Sequence, residues 1–347
     1  MQKKTWWVGF VLAVMWVGIS PHEGIAQGQK AEAFFRGATL RFIVPYGAGG
    51  SYDVWAKTLA PFLGKHTGAH VVVENMPGSG GFEAVDYLFS TVKPDGLTIS
   101  VFGMPALVLA KMLGLKEAAK SDIENLNYLG RLEVNQRALF ASKASGFRSI
   151  TDMQKSSNVL FTSVGGANDS SVDAALVSEG FGLRSKILAG SKGSAEDLIL
   201  LKEGKANAKC SSFSADYRGA VDRGDLNLIL FLGRKGNPGY PQVPLALDAP
   251  GIRPGGKKFI ELSSDLPEAG RMILTSPGVD AERLLFLEKA LSASLNEPGF
   301  LDWTKKDRVT ISYLPGKDCK ELIARMMGLV PPGEREELKR IVFEKYY

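Results

Sequence analysis

Pro45-Tyr46-Gly47-Ala48-Gly49-Gly50-Ser51-Tyr52-Asp53 joins a short β-rich run, Leu40 to Val44, to a segment whose apolar residues recur at helical spacing. Those residues are Val54, Trp55, Leu59, Phe62 and Leu63. A strand that runs into a glycine-rich turn and then a helix is a building unit of α/β folds. It also exposes a helix start, where unpaired N–H groups and the positive end of the dipole suit an anion. Glycines let a ligand approach the backbone closely. Nucleotide readings fit poorly: a dinucleotide fingerprint needs glycine where Tyr52 stands, and a phosphate loop needs Gly-Lys-Ser/Thr, which is absent. The competing reading is a tight turn with Ser51 or Asp53 as an ordinary N-cap.

Outward from this turn, strand and helix patterns alternate. Val71-Val72-Val73 reads as a strand, Phe82 to about Val92 as a helix and Leu97 to Phe102 as a third strand, which predicts a parallel sheet covered by helices. The pattern restarts with a strand at Arg137 to Ser142, a short helix at Ser149 to Gln154 and a strand at Val159 to Ser163. A helix from about Ser171 to Gly180, strands at 186–189, 206–210 and 226–231, and helices at 194–202 and 216–222 follow. The Pro- and Gly-rich stretch 236–256 reads as a connection. Beyond it lie a strand at 270–275, a helix at 281–295 and a helical stretch from Asp318 to Tyr346. Two α/β lobes are expected, 36–137 and 138–249, each a mostly parallel sheet flanked by helices, with 250–347 returning to the first. A second glycine-bearing loop, Thr162-Ser163-Val164-Gly165-Gly166-Ala167-Asn168-Asp169-Ser170, again lies between strand and helix. One such loop per lobe suggests a ligand gripped between facing helix starts, at the carboxyl ends of the strands.

The first 26 residues carry Lys3 and Lys4, an apolar run from Trp6 to Ile19 and small residues at Gly24-Ile25-Ala26. That is the pattern of an export signal cleaved near Ala26, and the run falls short of the ~18–20 residues of a membrane span. The chain of 347 residues has a net charge of +5, without a block of basic residues, so nucleic-acid binding is not expected. Cys210 and Cys319 could pair after export, if their Cα atoms come close enough. His66 and His70 lack the glutamate of a metalloprotease helix, and no cluster has metal spacing, so neither a metal nor another cofactor is expected. There is no Gly-x-Ser-x-Gly elbow and no nucleophile beside a base, so no catalytic residue is assigned. The acid pairs Glu196-Asp197 and Glu336-Glu337 read as solvated helix faces.

Four landmarks in order resemble the substrate-binding proteins of tripartite tricarboxylate transporters, the Bug family. They are Val44-Pro45-Tyr46 through Gly49-Gly50 to Asp53; Val71-Val72-Val73-Glu74-Asn75 with Pro77-Gly78 and Gly80-Gly81; Lys93-Pro94-Asp95-Gly96-Leu97-Thr98; and Pro241-Gln242-Val243-Pro244. The resemblance implies a two-lobed periplasmic-binding-protein-like fold that closes over a small carboxylate. It further implies a periplasmic location, delivery to membrane transporter subunits and no enzymatic turnover. A ligand-presenting subunit for a membrane sensor kinase is the alternative, and a monomer is expected in either case. Carried over by position, the implied contacts are Gly49, Gly50, Ser51, Tyr52 and Asp53 from one side, and Ser163, Gly165, Gly166, Ala167 and Asn168 from the other. The second lobe departs from the family pattern. It has Ser171 and Val172 for the usual histidine and leucine, Ser191 where a tyrosine is common, and Ser211 in place of an acid. Those smaller side chains suggest a bulkier ligand, such as an aromatic carboxylate, with Tyr46, Tyr52 and Met104 as apolar contacts.

Overall fold

The computed structural model describes residues 30–347 apart from 79, 80, 119, 121, 166, 167 and 308. The expected export signal lies outside these, as do Gly166 and Ala167. The strands are β1 (Thr39–Val44), β2 (His70–Asn75), β3 (Thr98–Gly103), β4 (Asn127–Glu133), β5 (Arg137–Ser142), β6 (Val159–Ser163), β7 (Ser185–Ala189), β8 (Ala208–Ser212), β9 (Leu226–Leu232), β10 (Arg271–Thr275) and β11 (Leu314–Pro315). They form two sheets, ordered β11-β4-β10-β3-β1-β2 and β7-β6-β8-β5-β9. The helices are α1 (Ser51–Thr67), α2 (Phe82–Ser90), α3 (Met104–Met112), α4 (Ile150–Lys155), α5 (Asp169–Phe181), α6 (Ser194–Lys202) and α7 (Ala215–Asp222). They continue with α8 (Lys257–Asp265), α9 (Ala281–Leu295), α10 (Pro298–Lys306), α11 (Gly316–Met327) and α12 (Arg335–Phe343).

The two sheets repeat one topology. In the first, β1 pairs in parallel with β2 and β3, and β10 is antiparallel to both β3 and β4. In the second, β6 pairs in parallel with β7 and β8, and β5 is antiparallel to both β8 and β9. Each sheet thus holds a reversed strand in the same place, between its third and outer parallel strands, and the short β11, also reversed, is added beside β4 at the first sheet's edge. The chain crosses between sheets twice, over 134–136 and again between β9 and β10. Among the described residues these are the only strand-to-strand passages that change sheets.

Packing explains which segments formed. Trp55, Ala56, Leu59 and Leu63 make one face of α1, and they bury against Leu40, Phe42, Val44 and Phe300. The helix outruns its sequence pattern by passing Gly64 and stopping at Gly68, which is left-handed (φ 71°). The second core is continuous across both sheets, joining Phe102 and Met104 to Leu139, Phe161, Ile260 and Ile341. From the stretch 250–347, β10 and β11 join the first sheet. By contrast α8 and α12 pack against α5, beside the second sheet. The Ile187 N–H bonds to the Tyr346 carbonyl at 2.7 Å, and Glu179 of α5 accepts from Lys345 and Tyr346. The helical stretch from Asp318 to Tyr346 is two helices, because Pro331 and Pro332 separate α11 from α12.

Gly270 controls the entry of the returning chain into β10. Its backbone lies at φ 62°, ψ −154°, and an added Cβ would stand 2.1 Å from the Glu133 carbonyl oxygen. Gly270→Ala is therefore expected to cost about 3 kcal/mol through strain and a backbone clash. Thermal unfolding should show a lower Tm, and an unchanged Tm would contradict this account.

Candidate functional site

A cavity of about 660 Å³ opens between the carboxyl edges of the two sheets. A parallel strand ends at that edge, so the helix that follows it starts there. On one wall α1 contributes Ser51, Tyr52 and Trp55. On the other, the start of α5 contributes Asn168 and Asp169, and β8 contributes Lys209, Ser211 and Ser212. The reversed strands do the opposite: they begin at the carboxyl edge. Arg271, first in β10, pairs with Gly103 and Glu133, the last residues of β3 and β4. Arg137, first in β5, pairs with Ser212 and Leu232, the last residues of β8 and β9. Both arginines line the cavity floor where the chain crosses between sheets.

The loop before α1 is held from beneath. Asp53 is buried, and its carboxylate accepts from the Gly49 N–H at 2.8 Å, from Lys57 at 2.7 Å and from Asn75 at 3.1 Å. The Lys57 and Gly49 bonds hold its pKa below the usual carboxylate range. Gly49 and Gly50 are exposed on the loop. No side chain caps α1, so the N–H groups of its first turn point outward without an intrahelical acceptor. Tyr46 packs against Tyr52 with ring centroids 4.5 Å apart and the planes tilted by 42°. Gly103 makes room for that pair, since a Cβ there would meet the Tyr52 hydroxyl at 2.2 Å.

The second loop is braced in a similar way. Ser163 is buried and accepts from the Gly165 N–H at 3.2 Å, while its hydroxyl also bonds to those of Ser170 and Ser171. Asn168 is exposed and caps α5 by accepting from the Ser170 N–H at 3.0 Å. Ser191 is buried with its hydroxyl unpaired, and its N–H bonds to the Ser163 carbonyl at 3.1 Å. Of the residues expected at the site, Ser51, Tyr52, Asn168 and Ser211 line the cavity. Gly49, Asp53 and Ser163 instead hold its loops in shape. Met104 opens α3 inside the core, fully buried, with its N–H bonded to the Gly270 carbonyl at 2.9 Å.

Sequence reasoning missed the charged residues of the cleft. Lys209 and Asp197 form an ion pair at 2.6 Å with both side chains 2% exposed, and Asp197 also accepts from Thr162 at 2.7 Å. Asp197 is thus a buried partner, not part of a solvated helix face. Arg271 lies over the Tyr52 ring at 4.0 Å and the Trp55 ring at 5.0 Å, and it approaches Glu133 to 3.3 Å. Its Nη2 donates to the Ser51 hydroxyl at 3.4 Å. Arg137 donates to Asp173 at 2.5 Å and to the Ser212 hydroxyl at 3.3 Å, and approaches Asp169 to 3.9 Å. Burial pushes the Asp173 carboxyl up to about 6, against the pull of Arg137. A charged first residue on an otherwise apolar strand was the available signal for Arg137 and Arg271. Cys210 and Cys319 are both buried and free. His66 bonds to Glu297 at 2.6 Å. Among the described residues no group of side chains is placed to hold a metal ion, and no helix is long and apolar enough to cross a membrane.

Two α/β lobes around a cleft of this kind define a solute-binding protein, and the comparisons agree. The sequence profile of the tripartite tricarboxylate transporter family receptor (TctC) matches residues 55–327. The chain belongs to that family. A Cupriavidus necator protein called a UPF0065 protein in the gbd 5′ region is 31% identical over 121 residues. That match spans 35% of this chain and 35% of the relative. A TctC solute-binding protein from Polaromonas superposes with a TM-score of 0.66 at 18% identity, covering 87% of this chain and 98% of the other. Rpa4515 of R. palustris, solved with adipate, gives 0.63 at 18% identity over 88% and 97%. These structures share the fold.

Asp53→Ala removes the acceptor that fixes Gly49 and the start of α1. A loss of about 1–3 kcal/mol is expected from the unpaired donors, measurable by denaturant unfolding. Because the folded pKa is depressed, Asp53 contributes its full stabilisation above the ordinary carboxylate range and loses it as pH falls through the folded value. The wild type and the Ala variant should therefore converge in stability in acid; a gap that is constant with pH would refute the role given to this carboxylate.

Proposed function

We propose that the protein is a periplasmic receptor that captures a small carboxylate between its two lobes and delivers it to a tripartite tricarboxylate-type membrane transporter. The observation that carries this reading is the cavity of about 660 Å³ at the carboxyl edges of both sheets, faced by the uncapped start of α1. Its size falls in the range of small-molecule sites, and open amide donors at a helix start favour an anion. The Ser51 and Tyr52 amides and the Ser211 hydroxyl are the proposed ligand contacts, with Gly49, Gly50 and Gly165 leaving the backbone accessible. The bound adipate of the R. palustris relative supports a carboxylate as the ligand class.

The same geometry argues for an aliphatic ligand over an aromatic one. One face of Tyr52 is taken by Arg271, Tyr46 packs at a tilt against Tyr52, and Met104 belongs to the core. Phe213, which also lines the cavity, is packed against Phe140, Phe231 and Tyr240. In this reading the protein binds and releases its ligand unchanged, and the first 26 residues direct its export.

Isothermal calorimetry on the purified receptor, with a panel of straight-chain carboxylates, benzoate, a neutral sugar and a basic amino acid, tests the assignment. Saturable binding of one aliphatic carboxylate per chain is expected. Binding of the sugar or the basic amino acid, with no response to any carboxylate, would overturn it.

A further inference from the structure

A second cavity, of about 250 Å³, shares no lining residue with the cleft. Its apolar walls are Phe259 and Leu262 of α8, Leu329, Val330 and Pro331 ahead of α12, and Leu338 of α12. Phe259 and Leu262 stand three apart, which puts them on one face of α8. All but Leu329 and Pro331 are buried; Leu329 is 40% exposed.

The position of this pocket explains why packing leaves room there. α8 and α12 rest on α5, beside the second sheet, whereas α11 packs against β4 and α3 of the first lobe. Leu329 is tied to α11, its N–H bonding to the Met326 carbonyl at 3.0 Å. Residues 328–334 thus carry the chain from one lobe to the other, and Pro331 and Pro332 keep that passage off the helical path. The walls belong to elements anchored on different lobes, so no single core closes over the space.

The lining also specifies what fits. Apolar walls offer water few hydrogen bonds, and an apolar group gains by displacing water so placed. Three charged side chains complete the lining: Lys258, Glu334 and Glu337. Lys258 is committed, since it pairs with Glu334 at 2.5 Å and lies over the Phe259 ring at 5.2 Å. Arg253, 6.0 Å from the same ring, is held by Glu179. Glu337, exposed in the first turn of α12, forms no ion pair among the described residues. The pocket therefore joins an apolar floor to one uncompensated negative charge at its rim.

We infer that this pocket is a second ligand site, which takes a small organic cation with an apolar body. The volume equals that of about eight waters, enough for a chain of about six carbons. The body lies among Phe259, Leu262, Val330 and Leu338, and the positive head meets Glu337. An anion of the same shape is repelled by Glu337 and finds Lys258 already paired. The site is independent of the carboxylate reading, because none of its residues faces the cleft.

Hexylamine, hexanol and hexanoate share a chain and differ in head charge at neutral pH. Amide shifts in two-dimensional NMR of the intact protein report where each one binds. Hexylamine is expected to bind saturably, with a Kd of about 1 mM or below, and to move the amides of Leu262, Leu329, Val330 and Leu338. Hexanol should bind more weakly there, and hexanoate more weakly still. Glu337→Gln should weaken hexylamine about two- to fivefold and leave hexanol unchanged. Leu329→Trp fills the pocket from an exposed position and should abolish the shifts from both. Should that variant lower the Tm, Leu262→Phe fills the same space from α8 and is read in the same way. The proposal is overturned if about 10 mM hexylamine leaves these amides unmoved, or if hexanol or hexanoate binds there as tightly as the amine. Unchanged hexylamine affinity in Glu337→Gln or in the filled variants would overturn it equally, whatever the cleft binds.

Discussion

One reversed strand in each sheet governs the rest of this structure. Parallel strands deliver their carboxyl ends to one edge, and the helices that follow begin there with open N–H groups. A reversed strand starts at that edge. Because β4 ends and β5 begins at the cleft, residues 134–136 suffice to carry the chain from one sheet to the other. The return into β10 lands at the same edge, and Gly270 makes the turn that admits it. The cleft, the crossings and the two arginines at its floor are therefore consequences of a single topological feature, used once per sheet.

That feature was only partly legible in the sequence. The loop at 45–53 announced a strand, a tight turn and a helix start, and the structure has β1 and α1 there. The alternation after residue 137 also gave strands and helices close to those observed. What it could not give was direction, since a short apolar run such as Arg137 to Ser142 looks the same whichever way it pairs. β4 escaped because Gly130 breaks its apolar run, at a point where the ladder with β10 shifts register. α3 escaped because Met104 to Met112 is apolar on nearly every side, which hides the helical period.

The site was legible in its backbone and not in its charges. Glycines and small polar residues mark a loop through local conformational needs, and these show in one stretch of chain. Buried ion pairs are set by partners far apart in sequence. Asp197 looked like half of an exposed acidic pair because its partner, Lys209, lies on a different element, β8. Glu133 and Arg271 meet only because β4 and β10 are neighbours. Likewise Asp53 had the look of a ligand contact at a helix start, whereas its neighbours Gly49, Lys57 and Asn75 draw it inward as a brace.

The pairing of acids with bases in the cleft bears on how such a receptor could both hold and release an anion. Burying an unpaired guanidinium would cost several kcal/mol, so a bare cluster of arginines is not a stable empty state. Glu133 and Asp173 remove that cost, and in doing so they subtract from the long-range attraction for any anion. What remains attractive is short-range: the uncapped turn of α1. Binding then depends on shape and on the placement of acidic groups more than on net charge, as the modest +5 of the whole chain would also require. A ligand bridging the walls gains its full set of bonds only when both are in place. Parting the lobes would forfeit several of those bonds together, which makes the separation between the sheets the natural control over affinity.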